Sequence, residues 1–402
     1  MRSRSWRTLP LSDREAVMRW DPYSLTADAD FDGFWAHRLA SGDRKLLLVL
    51  GRGFDIRTLE TARRLKTLDA DVEVWQLAFD NGLGDSDLRA AMTDENHQGL
   101  VGLVGADRIK EVAIQIGGPS GTTATALNTQ NALQAAGDCQ EFDDVIVDIS
   151  AMPRMVAMTA VSVLLFRLDK LAEGGAKSVN LHVTTAESVS ADIGAARGSL
   201  RDGVTFVRGF SGHLEEQTTQ NWPRVWFPVL GEGQRERLSL IQELLDPDEI
   251  CPVIPFPTKK PRRGDEVVGE HRETLFDDFQ IEPANILLAS EYNPFEAYKK
   301  IYIAMDRYKQ ALRTMGGCKL FVSPLSSKLL SIGVLLACYD HRYGAGSDDS
   351  FDVGIPYVET AMYGDPEQGP AGAFELHSMW IRGDWEASLD DEEEDEAHPE
   401  GD

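Results

Sequence analysis

The chain has 402 residues, with 66 Asp and Glu against 40 Lys and Arg, and a formal net charge of −26 at pH 7. At roughly 100 to 200 residues per domain this length holds one large or two medium domains. A hydrophobic content of 42% excludes a disordered chain, and the strong acidity excludes a surface that holds duplex nucleic acid through its overall field. A nucleotide would need a local pocket.

The four cysteines, Cys139, Cys251, Cys318 and Cys338, form no CxxC and no Cys/His cluster at zinc spacing, so reduced thiols, no metal and no cofactor are expected. The N-terminal MRSRSWRTLPLSDREAV lacks the apolar run of a signal peptide. The longest apolar stretch, around Val156 to Phe166, is too short to span a bilayer, so a cytoplasmic protein with no membrane contact is expected.

In chain order, residues 1–40 read as an aromatic-rich lead-in in which Ser12 and Glu15 fit a capping box. LLLVLGRGF from Leu46 reads as a buried strand ended by glycines, and DIRTLETARRLKTL as the helix after it. VEVWQLAF (72–79), EVAIQI (111–116), DVIVDI (144–149) and SVNLHVTT (178–185) follow as strands, alternating with helical segments as a parallel sheet requires. A second series begins after Pro223. It contains VWFPVL (225–230), CPVIPF (251–256), NILLAS (285–290), KLFVS (319–323) and VGIPYVET (353–360), interleaved with helices such as FEAYKKIYIAMDRYKQAL. The two series repeat: Val-Leu-Gly-x-Gly occurs at 49–53 and 229–233, and VIVDISAMPRMVAMT lies on KLFVSPLSSKLLSIG with Arg154 over Lys328. The expected fold is therefore α/β, two tandem Rossmann-like, mainly parallel domains at 41–215 and 216–380. An acidic tail from 381, with nine acids and no Lys or Arg after residue 389, is expected to be disordered.

In open parallel sheets ligands settle at strand carboxyl ends. The corresponding loops supply the candidate ligand-binding residues: Gly51, Arg52 and Gly53; Gly118 and Ser120; Ser150 and Arg154; Thr184; Gly231, Gly233 and Arg235; Lys259; Asn293; and Ser326, Ser327 and Lys328. Neither Gly-x-Gly loop reaches the third glycine of a dinucleotide fingerprint, because Ile56 and Glu236 stand there, and GGPSGTT lacks the lysine of a P-loop. Lys259, Lys260, Arg262 and Arg263 form the compact basic cluster, either an exposed loop or a phosphate clamp. Arg154 and Lys328 open apolar helices, where a cation opposes the helix dipole, so helix stability does not account for them.

SPLSSKLLSIG (323–333), with its counterpart ISAMPRMVAMT (149–159), resembles the Gly-Gly-Thr-Lys-x-Met loop and helix of CRISPR-associated Rossmann-fold (CARF) domains. Two such units in one chain are similar in outline to the SAVED sensors of bacterial antiviral signalling. The resemblance implies a cyclic oligonucleotide or related nucleotide bound by the loops. Ser326, Ser327 and Lys328 stand at the Gly-Thr-Lys positions, and Met152, Pro153 and Arg154 are their counterparts. The paired glycines are absent in both halves and no nuclease, TIR or protease effector is recognisable, so the output would pass to a partner protein. Two other readings stay open. One is a cleft enzyme such as a GT-B glycosyltransferase using Glu291, Glu359 and Arg235; the other is a scaffold whose halves keep the fold without a site. No catalytic residue stands out, and His182, on an apolar strand, reads as a core histidine.

Overall fold

The structure, a computed structural model, describes residues 18–385 apart from 41, 43, 83, 117–123, 188–198, 215, 345–346, 348–350 and 365–373. The Ser12–Glu15 pair, residues 386–402 of the tail expected from 381, and Gly118 and Ser120 lie outside the described residues; the tail does not begin at 381, because Ile381 and Arg382 are buried at the end of the last strand. In chain order the elements begin with β1 Ser24–Ala27, α1 Ala29–Leu39, β2 Leu46–Arg52, α2 Glu60–Thr67, β3 Val72–Asp80 and α3 Asp87–Val104. Next come β4 Ile109–Gln115, α4 Thr125–Ala136, β5 Asp144–Asp148, α5 Arg154–Glu173, β6 Asn180–Glu187, β7 Ser199–Leu200 and β8 Thr205–Ser211. The second series is β9 Arg224–Val229, α6 Arg235–Leu245, β10 Glu249–Ile250, β11 Val253–Pro255, α7 Arg263–Glu270, β12 Leu287–Ala289 and α8 Pro294–Leu312. It closes with β13 Cys318–Pro324, α9 Lys328–Tyr343, β14 Phe351–Tyr357, β15 Thr360–Met362 and β16 Glu375–Arg382.

The protein is α/β, with two mainly parallel sheets flanked by helices. The first runs β1-β16-β6-β5-β2-β3-β4 and the second β12-β11-β9-β13-β14-β8. Within each, five parallel strands follow one plan: the first strand is central, the next two step outward on one side, and the last two on the other; the two-residue β10 also pairs parallel with β9. An antiparallel strand closes the second side, β16 on β6 and β8 on β14. The apolar runs explain this order, since a strand covered on both faces is apolar at every position. In β2, Leu46, Leu48 and Leu50 pack in a cluster with Phe31, Trp35 and Leu65, whereas Leu47 and Val49 join the larger core that continues into the second half. That division follows the two-residue period of a strand.

The antiparallel strands are exchanged. β8 follows the first half in sequence but belongs to the second sheet, and β16 follows the second half but belongs to the first. The β7 and β15 segments leading into them pair antiparallel with each other. The ranges 41–215 and 216–380 therefore hold the two parallel cores, while each hands its last strand to the other. The lead-in is also part of the first sheet: β1 pairs with β16, and the Trp20 indole donates to Ile381 O at 2.7 Å. At the centre α5 and α9 pack on each other, α5 reaching β8 and α9 reaching β6. Every residue of α9 from Leu329 to His341 is buried, so the helix is covered around its circumference and is mostly apolar.

Candidate functional site

In each half the chain leaves the first and fourth parallel strands toward opposite sides, which opens a crevice at their carboxyl ends. In the first half these ends are Arg52 to Asp55 and Ile149 to Pro153; in the second they are Leu230 to Gln234 and Leu325 to Ser327. Both halves then enter a helix at the predicted cation, α5 at Arg154 and α9 at Lys328.

The two cations cross between the halves. The Arg154 guanidinium donates to Pro324 O and Ser326 O of the second-half loop. The Lys328 ammonium donates to Ile149 O at 3.0 Å and Ser150 O at 2.5 Å in the first-half loop. Each helix start is thereby tied to the loop that precedes the other helix. A cation at its own helix N-terminus is unfavourable, but each charge is directed at carbonyl oxygens opposite.

The helix starts differ in their caps. α9 has Ser327, whose hydroxyl accepts from Leu330 N at 3.1 Å, and Glu187 from the end of β6, whose carboxylate accepts from Leu329 N at 2.9 Å. α5 has Pro153 at its cap and no side-chain hydrogen bond there. The first-half side of the crevice is acidic and buried. Asp148 accepts from Ser150 N at 2.8 Å, its second oxygen has no hydrogen-bond partner among the described residues, and burial pushes its carboxyl above the usual range. Asp55 is also desolvated, yet the Arg57 beside it at 2.7 Å, helped by Lys328, holds it below its ordinary value. The second-half side is cationic: Arg154 and Arg237 lie 5.7 and 5.6 Å from the centre of the Tyr357 ring.

The remaining predicted residues are placed as follows. Ser150 is fully buried and its hydroxyl accepts from Ala186 N at 2.8 Å; Thr184, also buried, shares a 3.0 Å hydrogen bond with Thr61. Gly51 O accepts from the Thr58 hydroxyl and Gly53 O from the Asn96 amide. Arg52 pairs with Glu111 and Asp94 at the surface, and Arg235 with Glu273. Gly231 lies where a Cβ would sit 2.7 Å from Leu325 O, so it lets the two second-half loops touch. Gly233 takes a φ of +70° and donates its N–H to Glu270 at 2.6 Å. The Ser326 hydroxyl is buried without a hydrogen-bond partner among the described residues.

Asn293 caps α8, accepting from Phe295 N and Glu296 N. The basic cluster divides, with Lys260 and Arg262 exposed as a loop would have them and the other two cations paired. Lys259 pairs with Glu375 at 2.7 Å, and Arg263 is buried between Glu232 and Glu291. Glu291 is thus committed to that ion pair. Glu359 is buried and accepts from the Thr125 hydroxyl at 2.7 Å, with its carboxyl pushed up by burial. The three residues of the cleft-enzyme reading therefore each have a separate setting. Sequence reasoning did not single out Asp148, Arg237 or Tyr357; the one available signal was a carboxylate ending the apolar strand DVIVD.

No helix among the described residues is long and apolar enough to cross a membrane. No family model matches the chain, and no curated protein matches it significantly. Among solved structures, it is similar to a Pseudomonas aeruginosa UCBPP-PA14 protein described as a universal stress protein. The match is 9% identical, covers 78% of this chain and 92% of that one, and has a TM-score of 0.21, too low to bear on function.

Proposed function

We propose that the protein senses a small phosphorylated ligand, a nucleotide of the kind the CARF and SAVED resemblance implies, and passes its occupancy to a partner protein in prokaryotic antiviral defence. The observation that supports this reading is the pair of crossed contacts made by Arg154 and Lys328. Both cations sit at helix starts in the crevices where anions bind in such sheets. A phosphate that recruits either cation must take it from the opposite half, so binding and the arrangement of the halves are coupled.

The magnitudes are compatible with a switch. Hydrogen bonds to charged groups contribute about 1.5 to 3 kcal/mol each. Releasing the two made by one cation costs about 3 to 6 kcal/mol, close to the roughly 5.5 kcal/mol that moves a two-state equilibrium from 1:99 to 99:1. The α5 start, without a side-chain cap, is the better anion site, because Glu187 already places a carboxylate at the α9 start.

Thermal denaturation with cyclic and linear oligonucleotides, mononucleotides and nucleotide sugars tests the reading. A true ligand near 100 times its Kd adds about 2.7 kcal/mol of stability and raises the Tm by several degrees. Arg154→Ala should abolish the shift. If no nucleotide raises the Tm, the sensing reading fails. The scaffold reading, which is favoured by the cations already having protein partners, then stands; a response to nucleotide sugars alone would favour the cleft enzyme.

A further inference from the structure

At the other end of the second sheet, where strands begin, the fold gathers three metal-ligating side chains that are scattered in sequence. His213 lies in the turn after β8, Glu216 three residues on, and Asp352 at the start of β14. Their donor atoms all lie within 4.8 Å of one another. We propose that His213, Glu216 and Asp352 form a binding site for a divalent cation of the zinc class, which clips the exchanged strand β8 to β14. This site is separate from the crevices and independent of the sensing reading.

The donor set suits such an ion. One imidazole and two carboxylates are borderline-to-hard ligands, and zinc binds them at about 2.0 to 2.2 Å, leaving a fourth tetrahedral position for water. Donors that span 4.8 Å need only small rotations to meet one ion, and His213 and Glu216 are exposed enough to make them. His213 Nδ1 and Asp352 Oδ2 are hydrogen-bonded at 2.6 Å, the contact a metal would replace. Two of the three side chains, Glu216 and Asp352, also have an orienting neighbour, as metal ligands ordinarily do. The Thr218 hydroxyl donates to Glu216 at 2.8 Å, and Arg342 reaches the other Asp352 oxygen at 3.5 Å. The buried Lys319 donates to His213 O at 2.5 Å and Leu214 O at 3.4 Å. Its ammonium is hydrogen-bonded to the backbone of the turn, and its charge also acts on Asp352 and Glu216. The sequence expectation of no metal rested on local Cys/His spacing, and Asp352 is 139 residues from His213, beyond the reach of any spacing rule.

The test is a titration of the full chain with Co2+ alone, read by its visible ligand-field absorption, followed by displacement with Zn2+. The expected result is one saturable equivalent that Zn2+ displaces and that His213→Ala and Glu216→Gln each abolish. Saturating Zn2+ should raise the Tm of the wild type by several degrees and leave that of His213→Ala unchanged. Both substitutions are at the surface, so each variant should keep the wild-type circular dichroism without metal, and either suffices if the other misfolds. Absence of saturable binding, or binding retained in both variants, would overturn the proposal.

Discussion

Asp144 and Asp148 open and close β5, both buried, and their surroundings shift their charges in opposite directions. Burial opposes ionisation of Asp144, but His182 and the guanidiniums of Arg44 at 2.7 Å and Arg38 at 2.6 Å hold it well below the usual carboxylate range. His182, stacked on Trp380 and buried, is driven below its ordinary value and stays neutral at pH 7. A depressed carboxyl stabilises the fold above its unfolded pKa, and this is lost as pH falls through the folded value. A depressed histidine likewise loses stability as pH falls below about 6.5. Asp144→Asn should therefore cost about 1.5 to 3 kcal/mol at pH 7, because the half-buried Arg38 and Arg44 lose the carboxylate between them. It should also flatten the acid limb of stability against pH, as urea unfolding at several pH values would measure. Asp148 has the opposite sign. Its raised carboxyl means that the native state holds the proton longer, so stability falls as pH rises from about 4 through the folded value. Asparagine keeps the acceptor for Ser150 N and removes the charge, so Asp148→Asn should leave stability at pH 7 unchanged or raise it by about 1 kcal/mol. A loss of more than that in urea unfolding would contradict this account.

At the scale of elements, several residues that look like ligand contacts in the sequence define helix starts and loop contacts. Asn293→Ala and Ser327→Ala each remove a side-chain cap and should each cost about 1 kcal/mol without any ligand present. Measuring both variants with and without nucleotide separates capping from binding, since a pure cap loss leaves the ligand-induced shift intact. Gly231→Ala places a methyl 2.7 Å from the backbone oxygen of Leu325 and 3.0 Å from the Ser326 Cα, where no flexible side chain can yield. It should cost about 1 to 3 kcal/mol, as overpacking usually does. It should also loosen the Arg154 contact to Ser326 O, which amide exchange in the 324–330 loop would report.

At the scale of the whole molecule, exchange of β8 and β16 makes neither half complete. Leu376, Met379 and Ile381 of β16 are fully buried in the first half, and at about 1.5 to 3 kcal/mol per large apolar side chain their removal is not tolerable. A chain ending at Tyr363 would leave β6 as a bare edge strand and should aggregate, as gel filtration would show. The intact chain should unfold in urea as one transition, with far-UV circular dichroism coincident with tryptophan fluorescence, because Trp75 and Trp226 report on different sheets joined by shared strands. Two separated transitions would mean that the halves fold independently.

The sequence by itself determined the ten parallel strands, their helices, the repetition of the two series and the placing of Arg154 and Lys328 at helix starts. These follow from local apolar periodicity and from residue types at strand ends. Only the tertiary structure decided which sheet takes the mixed-pattern β8 and β16, because an antiparallel strand reached across the other half carries little local signal of its partner, which is remote. It also decided what the polar residues do. The partners of Arg154, Lys328, Arg263 and Asp144 lie from 28 to 179 residues away, and a hydrogen bond or ion pair is chosen by proximity in the folded chain. Residue type marked these positions as unusual, and only the fold paired them.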